Sequence, residues 1–244
     1  MPRRRVTWAF GQHMLVDRRI LARIIEAAGI GREETVCEAG AGQGVLTAEL
    51  CKRARRVISY EVDSKLYEKA REQLLPFHNV ELVNADLFKT SDLHFDVFVS
   101  NLPYSRSRDA FEWLVTQKFK RAVVMVQQEF ADKLAAGPGD YNYRAISALA
   151  THCFAIEKLF GVGRQSFEPR PLIESAMIKV IPTNTATRET IKSLNLLFSK
   201  RNKKASSVAA KVGISADFGN KRIDQLSTGE VFKLAGSMKN IRSI

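Results

Sequence analysis

The chain of 244 residues contains 38 lysines and arginines against 26 aspartates and glutamates, which gives a formal net charge of +12. Its length is enough for one full hydrophobic core and a small second domain. A positive charge of this size, clustered along the sequence, favours a polyanionic partner with nucleic acid as the first candidate, whereas a well-solvated surface is the simpler alternative.

Cysteine, histidine and hydropathy patterns exclude several classes of protein. The three cysteines (Cys37, Cys51 and Cys153) form no C-x-x-C pair and the four histidines are scattered, so neither a disulfide framework nor a metal site is expected. The sequence shows no signal-peptide pattern and no apolar run of membrane-spanning length. We therefore expect a monomeric cytoplasmic protein with no metal and no membrane attachment.

The first 19 residues are a basic arm that includes the sequence FGQHMLVD at positions 10–17. A helix is predicted next, because apolar residues at positions 20, 21, 24, 25 and 28 share one face and Gly29 follows them. A later helix is predicted to start at Ser64, a good N-cap residue, and to stop near Leu74 before Pro76.

Strand-like and helix-like segments alternate from residue 35 onward. Strands are predicted at 35–39, 56–60, 80–84, 95–100 and 122–126, and helices at 45–53, 64–74, 109–117, 129–135 and 145–151. Two later strands, at about 155–162 and 175–181, suggest an antiparallel hairpin on the sheet edge. The alternation predicts an α/β fold with a Rossmann-like, mostly parallel, doubly wound sheet.

A linker-like stretch, PTNT at positions 182–185, precedes a purely helical segment. We therefore predict two domains, a Rossmann-like domain with its basic arm at residues 1–183 and a small helical domain at residues 184–244. We interpret a run of cations in the helical segment as an RNA-facing surface, with a solvated helix face as the alternative. These cations are Lys200, Arg201, Lys203 and Lys204.

A glycine-rich turn, EAGAGQG at positions 38–44, lies where the first of the alternating strands leads into a helix. Glycines at such a point let the backbone turn tightly and let a ligand approach closely. The spacing is G-x-G-x-G, which differs from the G-x-G-x-x-G of dinucleotide sites. For the glycines alone, a tight connection without a ligand is an equal alternative.

The next three strands each end in an acidic or amide residue. Glu61 follows the strand at 56–60, at about the offset at which an acid meets a ribose in Rossmann-type units, and it would repel a 2′-phosphate. Asp86 and Asn101 follow the two strands after it. Ligands of open α/β sheets bind at these carboxyl ends, so the polar residues and the glycines together predict a ligand site.

The sequence Asn101-Leu102-Pro103-Tyr104 has the chemistry to hold an exocyclic amino group. An amide oxygen and a backbone carbonyl can each accept a hydrogen bond from an NH₂ group. Pro103 has no N–H and fixes the turn, while Tyr104 offers a flat surface for a base. Phe167, in a proline-rich loop, is expected to close the other face of a flipped base. The alternative is a turn with a buried ring.

These segments resemble those of the KsgA family of ribosomal RNA adenine dimethyltransferases, specifically its archaeal members, over nearly the whole chain. The matching segments are FGQHML at 10–15, EAGAGQGVLT at 38–47, YEVD at 60–63, NAD at 84–86, NLPY at 101–104, VQQEFA at 126–131 and FEPRP at 167–171. The resemblance implies a Rossmann-like, S-adenosylmethionine-dependent methyltransferase sheet as the catalytic domain, with a small C-terminal helical domain.

The resemblance also implies a reaction, a partner and site residues. The chain would dimethylate N6 of two adjacent adenosines near the 3′ end of small-subunit (16S-type) ribosomal RNA during ribosome biogenesis, with S-adenosyl-L-methionine as methyl donor and the small-subunit precursor as partner. The cofactor-binding residues would be Gln12, His13, Leu15, Glu38, Gly40, Gly42, Glu61, Asp86 and Asn101. The catalytic residues would be Asn101, Leu102, Pro103, Tyr104 and Phe167. Independently of the resemblance, the clustered positive charge leads us to expect RNA contacts from Arg3, Arg4, Arg5, Arg106, Arg108, Lys200, Arg201, Lys203 and Lys204.

The sequence departs from the family pattern after Tyr104, where SRSRD at 105–109 replaces an apolar or small polar stretch. Arg106 and Arg108 would contact RNA phosphates or indicate a changed target. They leave open a second interpretation, an RNA-binding ribosome-assembly factor with dispensable or vestigial catalysis, against which the intact sequence at 101–104 argues. A nicotinamide oxidoreductase is disfavoured by the glycine spacing.

Overall fold

The computed structural model describes residues 13–216 and 218–238. Its strands are β1 (Met14–Leu15), β2 (Thr35–Ala39), β3 (Arg56–Tyr60), β4 (Val80–Val83), β5 (Val97–Asn101), β6 (Arg121–Gln127), β7 (Phe154–Val162), β8 (Phe167–Glu168) and β9 (Ser175–Pro182). Its α-helices are α1 (Arg18–Ala28), α2 (Val45–Cys51), α3 (Ser64–Leu74), α4 (Ser107–Leu114), α5 (Gln128–Ala135), α6 (Ala145–Cys153), α7 (Arg188–Phe198), α8 (Ala205–Lys211) and α9 (Thr228–Ser237). Short 3₁₀ turns occupy Leu87–Lys89, Tyr104–Arg106, Arg164–Ser166 and Ile223–Gln225.

Seven strands form one sheet in the order β4-β3-β2-β5-β6-β9-β7. The pairs β2–β3, β3–β4, β2–β5 and β5–β6 are all parallel, which confirms the predicted Rossmann-like α/β sheet. The chain moves outward from β2 to β4 and then returns to the other side of β2 with β5. The order therefore reverses between β2 and β5, and ligands of such sheets bind beside that switch point.

The two late strands lie next to each other at one edge of the sheet, as expected, with β7 outermost. Between them in the chain, β8 leaves the sheet and pairs with β1 in a two-stranded antiparallel ribbon. Met14 lies opposite Glu168, and Leu15 lies opposite Phe167. This ribbon, which the sequence did not predict, joins the N-terminal arm to the loop before β9.

Helix α1 ends as predicted, at Gly29, whose φ of +53° is in the left-handed region that favours glycine. The Asp17 carboxylate caps its first turn by accepting two backbone N–H donors. The start of α3 differs from the prediction by one residue, because Asp63 is the N-cap and Ser64 is the first helical residue. The Asp63 carboxylate accepts two N–H donors of the first turn, which satisfies groups that would otherwise lack partners.

The interior of the sheet consists of β-branched side chains that fit a pleated, fully buried surface. Val36, Val57, Val97, Val99 and Val123 are all completely buried. One face of α1 packs on this core through residues that include Ile24 and Ala28. Burial on both faces explains why the interior of β6, residues 122–126, reads as a continuous apolar run in the sequence.

The contacts divide the chain into two compact units. The first comprises the chain up to Asp109 together with Phe119–Gln128 and Glu157–Lys179, and it holds the sheet core described above. The second comprises Ala110–Lys118, Glu129–Ile156 and the chain from Val180. The second unit thus combines the helical tail with earlier segments, and the predicted domain boundary between 183 and 184 remains a prediction.

The second unit has its own aromatic core. The ring of Phe111 contacts Phe130 and Phe154 edge to face, with centroid distances of 5.6 and 6.0 Å. The buried ring of Tyr143 contacts Phe198 of α7 in the same way at 5.3 Å. Edge-to-face contacts of this kind add to the stability that burial provides.

Candidate active site

A cavity of about 760 Å³ opens in the first unit, where β2, β3 and β5 end. A volume of this size accommodates a nucleoside-sized ligand. The wall on the sheet side is formed by the glycine turn, by Glu61 and by residues 101–104. Residues 13–18 and 167–169, which belong to or flank the β1–β8 ribbon, complete much of the lining.

The glycine turn exposes its backbone to this cavity. Gly40 and Gly42 line it, and their φ angles of +80° and +58° lie in the left-handed region. The N–H groups of Gly40 and Ala41 donate to the carbonyl of Tyr60 at 2.8 and 3.1 Å, which anchors the turn to β3. A Cβ at Gly44 would lie 3.3 Å from Cα of Ala70, so this glycine lets α2 and α3 pack closely.

Glu61 is a buried carboxylate at the cavity wall, 3% exposed. Its Oε2 accepts the N–H of Gly42 at 2.8 Å, and its Oε1 accepts the N–H of Asp63 at 2.9 Å. Burial raises the pKa of Glu61, and these backbone donors oppose that shift. Within residues 13–216 and 218–238 no cation pairs with Glu61. Its two carboxylate oxygens can therefore accept further hydrogen bonds from a ligand.

Glu38 lies elsewhere, although the sequence grouped it with the cofactor residues. It is completely buried and does not line the cavity. Its Oε2 accepts the hydroxyls of Thr47 and Ser59, both at 2.6 Å, whereas Oε1 has no partner. Burial raises the pKa of Glu38 to about 7, and the two hydroxyls oppose the shift. Glu38 thus ties β2 to α2 and β3 from inside the fold and has no path to direct ligand contact in this conformation.

Asp86 and Arg106 form an ion pair. The Arg106 Nη2 donates to both carboxylate oxygens of Asp86 at 2.9 Å, and the Arg106 Nε lies 3.2 Å from the carboxylate of Asp109. The Asp86 Oδ1 also accepts the N–H of Phe88 and so caps the turn Leu87–Lys89. Arg106, expected to contact RNA, is engaged within the protein, and Asp86 is not among the residues that line the cavity.

The segment 101–104 lies at the cavity with its backbone in a fixed turn. Asn101 ends β5 and is partly exposed, whereas the Leu102 side chain is buried. Leu102 lines the cavity although the residue as a whole is only 2% exposed. The hydroxyls of Tyr104 and Ser175 are hydrogen-bonded at 2.8 Å. Burial raises the pKa of Tyr104, and the bond to Ser175 opposes that shift.

His13 lies against the other side of Tyr104. The two ring centroids are 5.4 Å apart with an interplanar angle of 34°. The Nδ1 of His13 donates to the carbonyl of Pro169 at 2.7 Å, which fixes the imidazole on the ribbon. The N-terminal arm thus contributes a ring that contacts Tyr104 on the cavity wall.

Phe167 lines the cavity but is only 2% exposed, because its pairing with Leu15 holds it in the sheet core. The structure gives it a packing position instead of the open ring face that the sequence suggested for closing on a base. Two residues that contact the site were not among the predicted site residues. The side-chain amide of Asn84 donates to the Glu61 carbonyl at 2.7 Å. The hydroxyl of Ser175 is the hydrogen-bond partner of Tyr104.

Several predicted residues are not among those that line the cavity or lie outside the described chain. Gln12, Arg3, Arg4 and Arg5 lie outside the described residues. Lys200, Arg201, Lys203 and Lys204 lie in the second unit, and Arg108 lies on the exposed side of α4. In residues 13–216 and 218–238 no His, Cys, Asp and Glu group is arranged to hold a metal ion. Over the same ranges, no helix combines the length and hydrophobicity needed to span a membrane.

The fold and the cavity define the class of the protein: it has the Rossmann-like sheet of S-adenosylmethionine-dependent methyltransferases. A crystal structure of a dimethyladenosine transferase from Plasmodium falciparum is similar, with a TM-score of 0.77 and 28% identity over 91% of this chain and 96% of that one. Among curated proteins, the small-subunit ribosomal RNA methyltransferase A of Thermotoga petrophila is 39% identical over 82% of this chain and 74% of its own length. The probable counterpart of Pyrococcus abyssi is 32% identical over 96% and 92%.

The family model described as ribosomal RNA adenine dimethylase matches residues 4–229. The chain belongs to this family of ribosomal RNA adenine dimethyltransferases, which confirms the predicted membership. It is thus a methyltransferase, and the interpretation as an assembly factor without catalysis is not favoured.

Proposed function

We propose that this chain transfers methyl groups from S-adenosylmethionine to N6 of two adjacent adenosines near the 3′ end of small-subunit ribosomal RNA, in the context of the small-subunit precursor. The observation that supports the proposal is that the glycine turn, Glu61 and the segment 101–104 open into one cavity. The relatives named for small-subunit ribosomal RNA support the choice of target.

The residues of the cavity fit the proposed methyl donor. The free acceptor capacity of the Glu61 carboxylate suits two ribose hydroxyls, and a charged acceptor makes those hydrogen bonds strong. The open backbone at Gly40 and Gly42 lets the amino-acid portion of the donor approach closely. His13 and Leu15 on the ribbon cover the cavity from the other side.

S-adenosylmethionine supplies an activated methyl group on a sulfonium sulfur. The chain's own contribution is to hold the acceptor nitrogen in line with that group, because alignment of two reactants removes much of the entropic barrier. In this proposal the Asn101 side-chain oxygen and a backbone carbonyl of the 101–103 segment accept the two N–H bonds of the adenine amine. Held this way, the nitrogen lone pair points toward the methyl group and delocalises less into the ring.

Tyr104 supplies a stacking surface for the flipped adenine, and its hydroxyl is held by Ser175 at 2.8 Å. His13, 5.4 Å from the Tyr104 ring and bonded to the Pro169 carbonyl, forms part of the wall of the base pocket in this proposal. Leu102 and Phe167 support the pocket from the core, since each is 2% exposed.

The test is single-turnover methylation of small-subunit RNA by the wild type and by Asn101→Ala, at saturating donor and RNA. The chemical step in the variant should slow by about 10²-fold or more, the scale of losing one preorganised polar contact, while donor and RNA affinities persist. Asn184→Ala, an exposed asparagine in the second unit, is the matched control and should behave as wild type. Near-normal rates in Asn101→Ala would refute the proposed role of the segment.

The target nucleotides can be located independently. An adenine dimethylated at N6 has no N–H left for base pairing, so primer extension on methylated RNA should stop at two adjacent adenosines near the 3′ end. Stops elsewhere, or labelled RNA that contains monomethyladenosine alone, would contradict the proposed target or the proposed product.

A further inference from the structure

The second unit carries the exposed ring of Tyr141 together with Arg144 and Arg201, two arginines from different parts of the chain. We call these three residues the Tyr141 platform. We propose that the Tyr141 platform binds an unpaired nucleotide of the RNA substrate, with the base stacked on Tyr141 and the adjacent phosphate held by the guanidinium groups. The inference rests on the proposed function in that RNA is the partner, and it adds a contact site remote in sequence from the segment 101–104.

The exposure of the ring is the first observation. Tyr141 is 80% exposed, whereas the neighbouring Tyr143 is completely buried. The guanidinium carbons of Arg144 and Arg201 lie 5.7 and 5.8 Å from the centroid of the Tyr141 ring. Each guanidinium lies over the ring within the range of a cation–π contact, and because Tyr141 is 80% exposed most of its surface is still open to a ligand.

Hydrogen bonds hold this surface in place. The carbonyl of Tyr141 accepts Nη1 of Arg144 at 2.6 Å and Nη1 of Arg201 at 3.3 Å. The Asp224 backbone links the two segments, because its carbonyl accepts the N–H of Gly139 at 2.7 Å and its N–H donates to the carbonyl of Arg201 at 3.1 Å. Both guanidinium groups are thus positioned before any ligand arrives, which lowers the entropic cost of binding.

The charge beside the ring is not neutralised. In the part of the chain that the structure describes, neither Arg144 nor Arg201 pairs with a carboxylate, and neither does Lys200 nor Lys203. By contrast, two other cations of the second unit, Lys221 and Arg222, are paired with carboxylates. Lys221 pairs with Glu230 at 2.9 Å, and Arg222 pairs with Asp224 at 3.1 Å.

An open aromatic face beside unpaired guanidinium groups matches single-stranded nucleic acid. Its bases stack on aromatic side chains in a sequence-tolerant way, and its phosphates accept paired N–H donors from arginine. A duplex keeps its bases stacked inside and would use only the charges. An anionic membrane or an acidic protein would also use the charges and would leave the ring without a specific role.

The experiment compares binding of a short single-stranded oligoribonucleotide with binding of a duplex of the same composition. Tyr141→Ala should weaken single-strand binding by at least about fivefold and change duplex binding by less than about twofold. Tyr141→Phe should stay within about twofold of wild type for both, because the ring face remains. Leu75→Ala, which truncates an exposed apolar residue of the first unit, is the matched control and should change neither.

The arginines are tested through salt. In Arg144→Ala with Arg201→Ala, the slope of log affinity against log salt should fall by about one to two, whereas Tyr141→Ala should leave it unchanged. The proposal is overturned if Tyr141→Ala binds the single strand as wild type does or loses duplex binding equally. It is also overturned if the patch binds anionic vesicles and no RNA.

Failure of this proposal can be told apart from failure of the proposed function. If the wild type methylates small-subunit RNA while Tyr141→Ala has no effect on single-strand binding, only the platform is refuted. If the wild type carries no methyl group onto RNA while Tyr141 proves necessary for single-strand binding, only the proposed reaction is refuted. Thermal unfolding of each variant checks that the exposed substitutions leave the fold intact.

Discussion

Arg106 donates from one nitrogen, Nη2, to both carboxylate oxygens of Asp86 at 2.9 Å. Arg106 ends the turn that follows the segment 101–104, and Asp86 begins the turn after β4. The ion pair therefore joins the turn at Tyr104–Arg106 to the turn at Leu87–Lys89. The guanidinium carbon of Arg106 also lies 5.1 Å from the ring centroid of Phe88, a residue of the turn that Asp86 caps.

We expect Arg106→Ala to leave the salt dependence of RNA binding unchanged, because a cation held by Asp86 and Asp109 releases no counterion from RNA. A double-mutant cycle of Arg106→Ala with Asp86→Asn, followed by chemical unfolding, should give a coupling of about 0.5–1 kcal/mol, since the pair is partly screened by solvent.

The positive control for the salt experiment removes the charges of Lys200, Arg201, Lys203 and Lys204 together, which should flatten the slope. If Arg106→Ala flattened it by about one as well, Arg106 would contact RNA phosphate as the sequence had suggested.

Glu61→Ala should weaken binding of S-adenosylmethionine by roughly 1–3 kcal/mol through the loss of charge-assisted hydrogen bonds to the ribose. Isothermal calorimetry measures this directly. Glu81→Ala is the matched control, because Glu81 is an exposed acid of the adjacent strand β4 and pairs with Arg56 outside the cavity. Unchanged affinity in a folded Glu61→Ala variant would remove Glu61 from the site.

Tyr104→Phe and Ser175→Ala each break the same hydroxyl–hydroxyl hydrogen bond, so both should slow methylation modestly and to a similar degree. Combining them should cost little more than either alone, since the second change breaks a contact that is already lost. Tyr104→Ala should be much more severe, because it removes the stacking surface. The measurement is single-turnover methylation, and additive effects of the two mild changes would show that the hydroxyls act independently.

Glu38 predicts a dependence of stability on pH. Its folded-state pKa of about 7 lies above the ordinary value of 4.5, so the folded protein holds this proton more tightly than the unfolded chain. The stabilisation is fully present below the lower value and is lost as the pH rises through the higher one. The wild type should therefore lose up to about 3 kcal/mol of unfolding free energy relative to Glu38→Gln between these two pH values.

The comparison is made by chemical unfolding of both proteins across that pH range. Glu61, the carboxylate that electrostatically opposes ionisation of Glu38, is present in both, so the difference between the curves isolates Glu38. Parallel curves would show that the buried carboxylate titrates normally.

The sequence predicted the sheet closely because the parallel strands are short segments rich in β-branched residues, each ending at or followed by a polar or glycine residue. The strand at 35–39 matches β2, and the strand at 56–60 matches β3. The errors are of one to three residues at element ends, as in the helix predicted at 109–117 and found at Ser107–Leu114. Element ends depend on caps and tertiary contacts that periodicity does not contain.

The site was predicted less completely, and the two acids show why. Glu38 is still inside β2, where its side chain is enclosed by neighbouring elements, whereas Glu61 follows the end of β3 and reaches the cavity. A motif match does not distinguish these positions. Ser175 could not be predicted as a partner of Tyr104, because the two residues are 71 positions apart and only the folded chain brings their hydroxyls together.

The β1–β8 ribbon has a consequence for the order in which the protein matures during synthesis. His13 bonds to Pro169 across 156 residues of chain, so one wall of the cavity cannot form until Pro169 has been translated. Strands β2 to β6 are all upstream of that point and can pair as they emerge. A nascent chain therefore acquires its sheet early and its methyl-donor cavity late, and truncated products that stop before residue 167 should fold in part and bind no donor.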